Sequence, residues 1–301
     1  APHIWAWRGS RKKILFKWVK NLVYWPDVYI GWVPVAAIKS ISLIKKEKIK
    51  LIYLVSPPHS STFTIFFIKI FTRAKVIVDF RDPWSDDVDI VNPTILHKKL
   101  RAISEKLVCN FSDKVITTTD YHTNVLIERY FKYDRNRVIT ITNGFNSSEF
   151  SKSVRLSEEF TIVYTGNFDS TRNPYTFLKA ISNIVKRNSN VFKSNSIQFF
   201  GNINPNVQSF INEFELNDIV IQHGIKSYSD VIILMKQASL LLLIVHNDEV
   251  TSKFSIPAKL FEYMASSRPI LAITPNGIAS EIINKYSLGE CFQHSEISNI
   301  E

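Results

Sequence analysis

Glycine and cysteine are scarce in this sequence, with 8 and 2 among 301 residues. The few glycines form neither G-x-G-x-x-G nor G-x-x-x-x-G-K-[ST], which excludes a standard dinucleotide turn and a P-loop. Cys109 and Cys291 lie far apart, so neither a disulfide framework nor a cysteine metal cluster is expected, and a reducing, cytoplasmic setting fits. Long apolar runs are missing as well. No stretch reaches the roughly 18 apolar residues of a bilayer span. The longest candidate, Phe63 to Phe71, is broken by Lys69 and reads as a buried helix. The chain opens on Ala1 in Trp-rich sequence, with no apolar signal-peptide core, as expected of a trimmed start or a piece of a longer protein.

Acidic side chains run short in the first half alone. Residues 1–150 carry 24 Lys and Arg against 13 Asp and Glu, and residues 151–301 carry 13 against 14. The first fifty residues hold 11 basic and 2 acidic side chains. There Lys13, Lys17 and Lys20 recur at helical spacing, while Phe16, Val19 and Val23 project elsewhere, with Trp18 and Trp25 nearby. This pattern reads as a membrane-surface patch, or as a solvated helix face packed on the first domain. Nucleic acid is not expected as a partner, because no binding module is present and the second half is nearly neutral.

Hydrophobic content of 45% and charged content of 21% are those of a globular protein, and the length suggests two domains. From about Ile38, helices alternate with short apolar strands. Leu51 to Val55 is a continuous apolar run, the pattern of a strand buried on both faces, and Ser56-Pro57-Pro58-His59 stops it. Further strands are expected at 76–80, 114–118 and 138–142, separated by helices. The polar, non-periodic stretch from Asn146 to Glu159 reads as a linker, giving domains 1–150 and 151–301. A second series places strands at 160–165, 197–200, 219–222, 239–245 and 269–273, again alternating with helices. Two such series predict an α/β protein with two parallel sheets. Ligands of these sheets bind beyond the carboxyl ends of the strands, so strand-end residues are the candidates for chemistry.

Read in order, those ends are "SPPHS" at 56–60, "VDFRDPW" at 78–84, "TNGF" at 142–145, "YTGNFDSTRNP" at 164–174, "HGI" at 223–225 and "SIPAKLFEYMASSRPIL" at 255–271. Together they resemble the bacterial family-4 glycosyltransferases, retaining enzymes of the GT-B architecture. The most specific piece is the P-x-K-x-x-E-Y-[ML]-A-x-x-[RK]-P segment. The resemblance implies two Rossmann-like domains facing each other across a cleft. The first domain is expected to be incomplete, since nothing before Trp25 matches the family's glycine-rich turn and the chain ends before the helices that return to the first domain. It implies transfer of a sugar from a nucleoside-diphosphate donor, UDP-linked, to a glycan or lipid-linked acceptor in bacterial surface polysaccharide synthesis. The setting is the inner face of the plasma membrane, with no cofactor and no metal.

The segment's own chemistry agrees. Pro257 suits the first turn of a helix, whose unpaired amides and dipole make an anion site for a diphosphate. Ser255 and Lys259 are placed to add a hydroxyl and a positive charge. Glu262 can accept from a ribose diol, the role the resemblance assigns, or pair with Lys259 as a surface i,i+3 salt bridge. Gly166 ends a strand and lets backbone approach a ligand. Arg172 resembles the family's phosphate-binding arginine. The companion lysine expected two to five residues later is absent, which leaves Lys259 or Lys253 to supply that charge. His223, Gly224 and Tyr228 stand where the family holds the nucleobase, although a lone His is otherwise more often packed or on the surface. The family's donor-sugar glutamate, eight positions before Glu262, is here Phe254, so either Ser252, Lys253 or backbone holds the sugar or the sugar is held differently.

In the first half, Asp79, Arg81 and Asp82 cluster at a strand end. Arg81 can bind acceptor or phosphate with Asp82 orienting either, or the residues can form a structural Arg–Asp pair. His59 is a further candidate for the acceptor hydroxyl. Asp87-Val88-Asp89 imitates a D-x-D metal motif outside its strand context and reads as a decoy. The rivals to glycosyl transfer are a sugar-nucleotide 2-epimerase on the same fold and a non-catalytic nucleotide- or membrane-binding homologue.

Overall fold

The computed structural model describes residues 24–87, 94–169 and 172–301. The basic run through Lys13, Lys17 and Lys20 lies outside them, as do Val88 and Asp89. The chain divides into two compact units, one ending at Thr142 and one running from Asn143 to Glu301.

The first unit runs α1 (Val33–Lys46), β1 (Leu51–Ser56), a 3₁₀ turn (His59–Phe63), α2 (Thr64–Phe71), β2 (Lys75–Phe80), α3 (Ile95–Phe111), β3 (Lys114–Thr117), α4 (Asp120–Tyr130) and β4 (Val138–Thr140). Its strands are parallel and lie in chain order, β1-β2-β3-β4. Stepping repeatedly in one direction with right-handed crossovers sends α2, α3 and α4 to the same face. Val76, Val78, Val108, Val115 and Leu126 fill the core beneath them. The expectation that β1 is buried on both faces is corrected. Leu51, Tyr53 and Val55 are exposed, while Ile52 and Leu54 pack on the core. The strand is at the sheet edge and, among the described residues, one helical layer covers a single face.

The second unit runs β5 (Thr161–Thr165), α5 (Tyr175–Arg187), β6 (Ser196–Phe200), α6 (Pro205–Glu213), β7 (Val220–Gly224), α7 (Tyr228–Gln237), β8 (Leu240–Ile244), α8 (Glu249–Phe254), α9 (Ala258–Ser266), β9 (Ile270–Ile273), α10 (Ile278–Lys285), β10 (Gly289–Phe292) and α11 (Ile297–Ile300). Its parallel sheet has the order β10-β9-β8-β5-β6-β7, so the winding reverses between β5 and β8. That reversal buries both faces. Leu241 and Leu243 of β8 point into one core and Leu242 and Ile244 into the other, and Val163 of β5 opposes Ile162 and Tyr164. A crevice at such a switch point, beyond the carboxyl ends of the strands, is where ligands of doubly wound sheets bind.

The expected boundary at 150/151 moves forward, because the polar stretch is tied to the second unit. Phe150 is buried in that unit's core, Lys236 Nζ donates to Phe150 O at 2.7 Å and to Lys152 O, and Ser157 N donates to Gln237 O at 3.1 Å. No helix among the described residues is long and apolar enough to cross a membrane.

Candidate functional site

Three strand-end glycines lie side by side at the carboxyl ends of β5, β6 and β7 in the second unit. Gly166, Gly201 and Gly224 all have positive φ, and their backbones interlock through Gly166 N to Phe200 O at 2.7 Å and Gly201 N to Gly224 O at 2.8 Å. A Cβ on Gly201 would fall 2.3 Å from Gly166 O, so that position needs glycine for the close approach. A Cβ on Gly166 would fall 1.8 Å from Lys259 Nζ. The lysine comes from the first turn of α9 and lies directly over the end of β5. Its Nζ stands 4.6 Å from the Tyr164 ring centroid and 3.5 Å from Tyr164 Oη. Burial, with the nearby positive charge of Arg172 second, lowers its pKa from 10.5 to about 8. This is a cation held out of water, poised to gain from an anion.

Arg172 is half exposed and is held by Asp169, which accepts from Arg172 N at 2.9 Å and from Nη1 at 2.8 Å. Pro257 is corrected from the first turn to the N-cap position: its ψ of 128° is extended, and α9 begins at Ala258. The leading amides of any helix lack intrahelical partners, and those of α9 meet no side-chain cap. Ser255 is half-buried between α8 and α9, and Lys253 is exposed at the end of α8. Glu262 does not take up Lys259 as a surface pair; its Oε1 accepts from Tyr228 Oη at 3.1 Å. Burial and the carboxylates of Glu262 and Glu149 raise the Tyr228 phenol to about 12.

The residues around the expected sugar position behave differently. Phe254 is 4% exposed and belongs to the interior. Ser252 is not available to a sugar: it is 2% exposed, and its hydroxyl donates to Glu249 O and Asn276 O, both at 2.9 Å. His223 stacks on Phe200 at 4.4 Å and 7°, beside a cavity of about 310 Å³ lined also by Gln198, Lys226, Asp230 and Leu234. Burial and then Lys226 lower its pKa, and its buried Nε2 meets no hydrogen-bond partner. Tyr164, Gly201 and Asp169 were missed as site residues; the glycine ending a strand was the readable signal for Gly201.

In the first unit, Asp79 is 3% exposed, and its Oδ2 accepts from Tyr53 Oη at 2.5 Å and Arg81 Nη1 at 3.3 Å. Its buried Oδ1 meets no hydrogen-bond partner. The structural Arg–Asp pair is therefore Arg81 with Asp79. Asp82 is exposed at its surface, yet partial loss of water raises its pKa against the pull of Arg81. His59 does not face solvent. It is 5% exposed, stacks on Trp84 at 4.8 Å and 4°, and meets Ser56 Oγ through Nδ1 at 2.7 Å. Burial lowers its pKa to about 4. The loop after β2 is pinned: Arg101 donates to Ser85 O and Asp87 O, Glu105 accepts from Ser85 N, and Arg129 pairs with both oxygens of Asp86. Among the described residues, no three His, Cys, Asp or Glu side chains gather as a metal site.

Solved structures share this architecture. Sucrose-phosphate synthase from Thermosynechococcus elongatus is 14% identical, with a TM-score of 0.66 over 90% of this chain and 67% of its own. TarM from S. aureus, determined with fondaparinux, alpha-GlcNAc-glycerol and UDP, is 14% identical, with a TM-score of 0.58 over 86% of this chain and 49% of its own. UDP-GlcNAc 2-epimerase from Methanocaldococcus jannaschii is 13% identical, with a TM-score of 0.55 over 89% and 72%. This chain thus spans between about half and seven-tenths of the structures it matches, and at these identities the likeness establishes the fold: α/β, with two Rossmann-like parallel sheets of the GT-B kind. No curated protein matches in sequence. The family described as glycosyl transferases group 1 matches residues 146–301, the whole of the crevice-bearing unit from Asn146 onward, and the chain belongs to that family.

Proposed function

We propose that this chain transfers a hexosyl or N-acetylhexosaminyl group from a UDP-sugar to a glycan or lipid-linked acceptor, with retention at the anomeric carbon. The observation that carries the reading is Lys259, a desolvated ammonium set against Gly166 at the end of β5 and in the first turn of an uncapped helix. Departure of the diphosphate develops negative charge, which Lys259, Arg172 and the α9 amides stabilise electrostatically. With those cations present the reading calls for no divalent metal and no cofactor. Glu262, oriented by the Tyr228 phenol at Oε1, accepts from the ribose hydroxyls with its remaining lone pairs, and the backbone at His223 and Gly224 lies against the base. Leaving group and acceptor share one face of the sugar in an oxocarbenium-like transition state. Asp79, Arg81 and Asp82 are the acceptor-side candidates. The setting is bacterial surface polysaccharide synthesis at the inner face of the plasma membrane.

A 2-epimerase needs acid and base carboxylates beside the sugar. Asp169 is paired with Arg172 and Glu262 with Tyr228, so the carboxylates near Lys259 are already engaged. The discriminating experiment incubates the protein with UDP- and GDP-sugars, with and without lipid-linked or oligosaccharide acceptors, and reads products by mass spectrometry and anomeric NMR. Acceptor-dependent donor consumption with a retained anomer is expected. A 2-epimer formed without acceptor would assign the epimerase instead, and UDP binding without turnover would assign the non-catalytic homologue.

A further inference from the structure

We propose that the outer face of α1, α2 and α3 is a docking surface for an anionic phospholipid bilayer. The helices neighbour one another in sequence order on one face of the first sheet. Phe66 of α2 meets Phe111 of α3 edge-on at 5.1 Å, which makes α2 and α3 continuous on that side. Each helix turns apolar side chains to solvent at helical spacing. On α1 these are Val35 and Ile38, on α2 Phe67, Ile70 and Phe71, and on α3 Ile103 and Leu107. Ile38 and Ile70 are 68% and 69% exposed.

Cations frame these residues, although Glu47, exposed just after α1, pairs with Lys46 at 3.4 Å. Lys39, Lys45 and Lys46 on α1, Arg73 just after α2, and Lys99 and Lys106 on α3 are exposed. The three helices contain a single carboxylate, Glu105, which is buried and accepts from Ser85 and Tyr130. A second copy of the chain on this face would set lysines against lysines. A bilayer of negative headgroups is complementary instead, because aliphatic and aromatic side chains enter the acyl boundary while lysine stems reach out to phosphate. The inference rests on the membrane setting proposed above and supplies the surface for it; the donor crevice is in the other unit.

Vesicle flotation of the full chain tests this, comparing phosphatidylglycerol/phosphatidylcholine vesicles with phosphatidylcholine alone. Residues 1–23 are kept intact throughout. Binding to the anionic vesicles is expected, and the triple change Lys39→Glu, Lys46→Glu, Lys106→Glu should weaken it on the order of 100-fold, at roughly fivefold per basic residue near the surface. The apolar triple change Ile38→Ser, Ile70→Ser, Ile103→Ser should also release the protein, with the thermal melt of both variants checked against wild type. Undiminished flotation of both variants would overturn the proposal, as would a wild-type chain that ignores anionic vesicles or dimerises through this face in sedimentation. UDP affinity, measured on every variant, separates the two readings: flotation without UDP binding defeats the donor site and leaves the docking surface standing.

Discussion

Replacing Lys259 by Met removes a charge while keeping an unbranched stem over Tyr164. The ammonium's pKa of about 8, against 10.5 in the unfolded chain, corresponds to about 3 kcal/mol of disfavoured charging. Water at the partly exposed side chain and the loss of the Tyr164 cation–π contact reduce the net gain to about 1–2 kcal/mol. The folded pKa is depressed, so the penalty is full below about pH 8. It fades between about 8 and 10.5, where the folded state sheds its proton before the unfolded chain does. Lys259→Met should therefore raise the melting temperature of the second unit at pH 7 by about 3–6 °C. The gap should close as pH approaches 10.5. Turnover should fall about 10²–10³-fold, the usual loss when one donor to a developing anion is removed. Calorimetry across pH, paired with donor-consumption kinetics, checks both halves. A variant that melts at or below wild type at pH 7, with a gap independent of pH, would refute the desolvated-cation argument. Unchanged turnover would refute the leaving-group role.

Gly166→Ala puts a side chain at φ +126° and into the space of Lys259 Nζ, so it should cost roughly 1–3 kcal/mol and weaken UDP binding about tenfold in calorimetric titration. Normal stability and affinity together would show that the close approach is dispensable. Tyr228→Phe removes the donor that orients Glu262 and should weaken UDP about 3–10-fold, with a smaller loss for 2′-deoxyuridine diphosphate. Equal losses for the two ligands would detach Tyr228 from ribose recognition. His59→Ala should destabilise the first unit by about 2 kcal/mol through the lost Trp84 stack and Ser56 bond, leaving UDP affinity intact. Wild-type stability should drop as pH falls from about 6.5 towards 4, because the unfolded imidazole is protonated first, and this slope should shrink in the variant to what His122, whose buried imidazole is likewise lowered to about 4, still contributes.

The readable parts of this chain were those where one local pattern has one structural meaning. Apolar runs closed by Gly166, Gly201 and Gly224 located the carboxyl ends of β5, β6 and β7, because a glycine at a strand end has few other uses. The Pro257 to Glu262 segment located a helix start for the same reason. Burial was less legible. The run of Leu51 to Val55 is as apolar as that of Leu240 to Ile244, yet one is half exposed and the other fills both cores. Composition reports that a strand can be covered, whereas the direction of the crossovers decides whether it is. The short helix α8 carries no periodic signal, although Asp248 caps it through Thr251 N at 2.7 Å, because its six residues are too few to display a period.

Contacts across the sequence were the least legible, and they decide the chemistry. Nothing local to Lys259 says that its ammonium ends on Gly166, nor that Ser252 is spent on Asn276. The residue class at a position therefore announced a capacity, and the partner chosen by the fold decided whether it was used. Glu262 illustrates both outcomes at once: a carboxylate with a lysine three residues before it would pair with that lysine on an isolated helix. Here the sheet draws Lys259 towards β5 and α7 brings Tyr228 to the carboxylate. The cation and the carboxylate of one helix thus serve different partners, Tyr164 and Tyr228, which spacing along the helix alone would not have chosen.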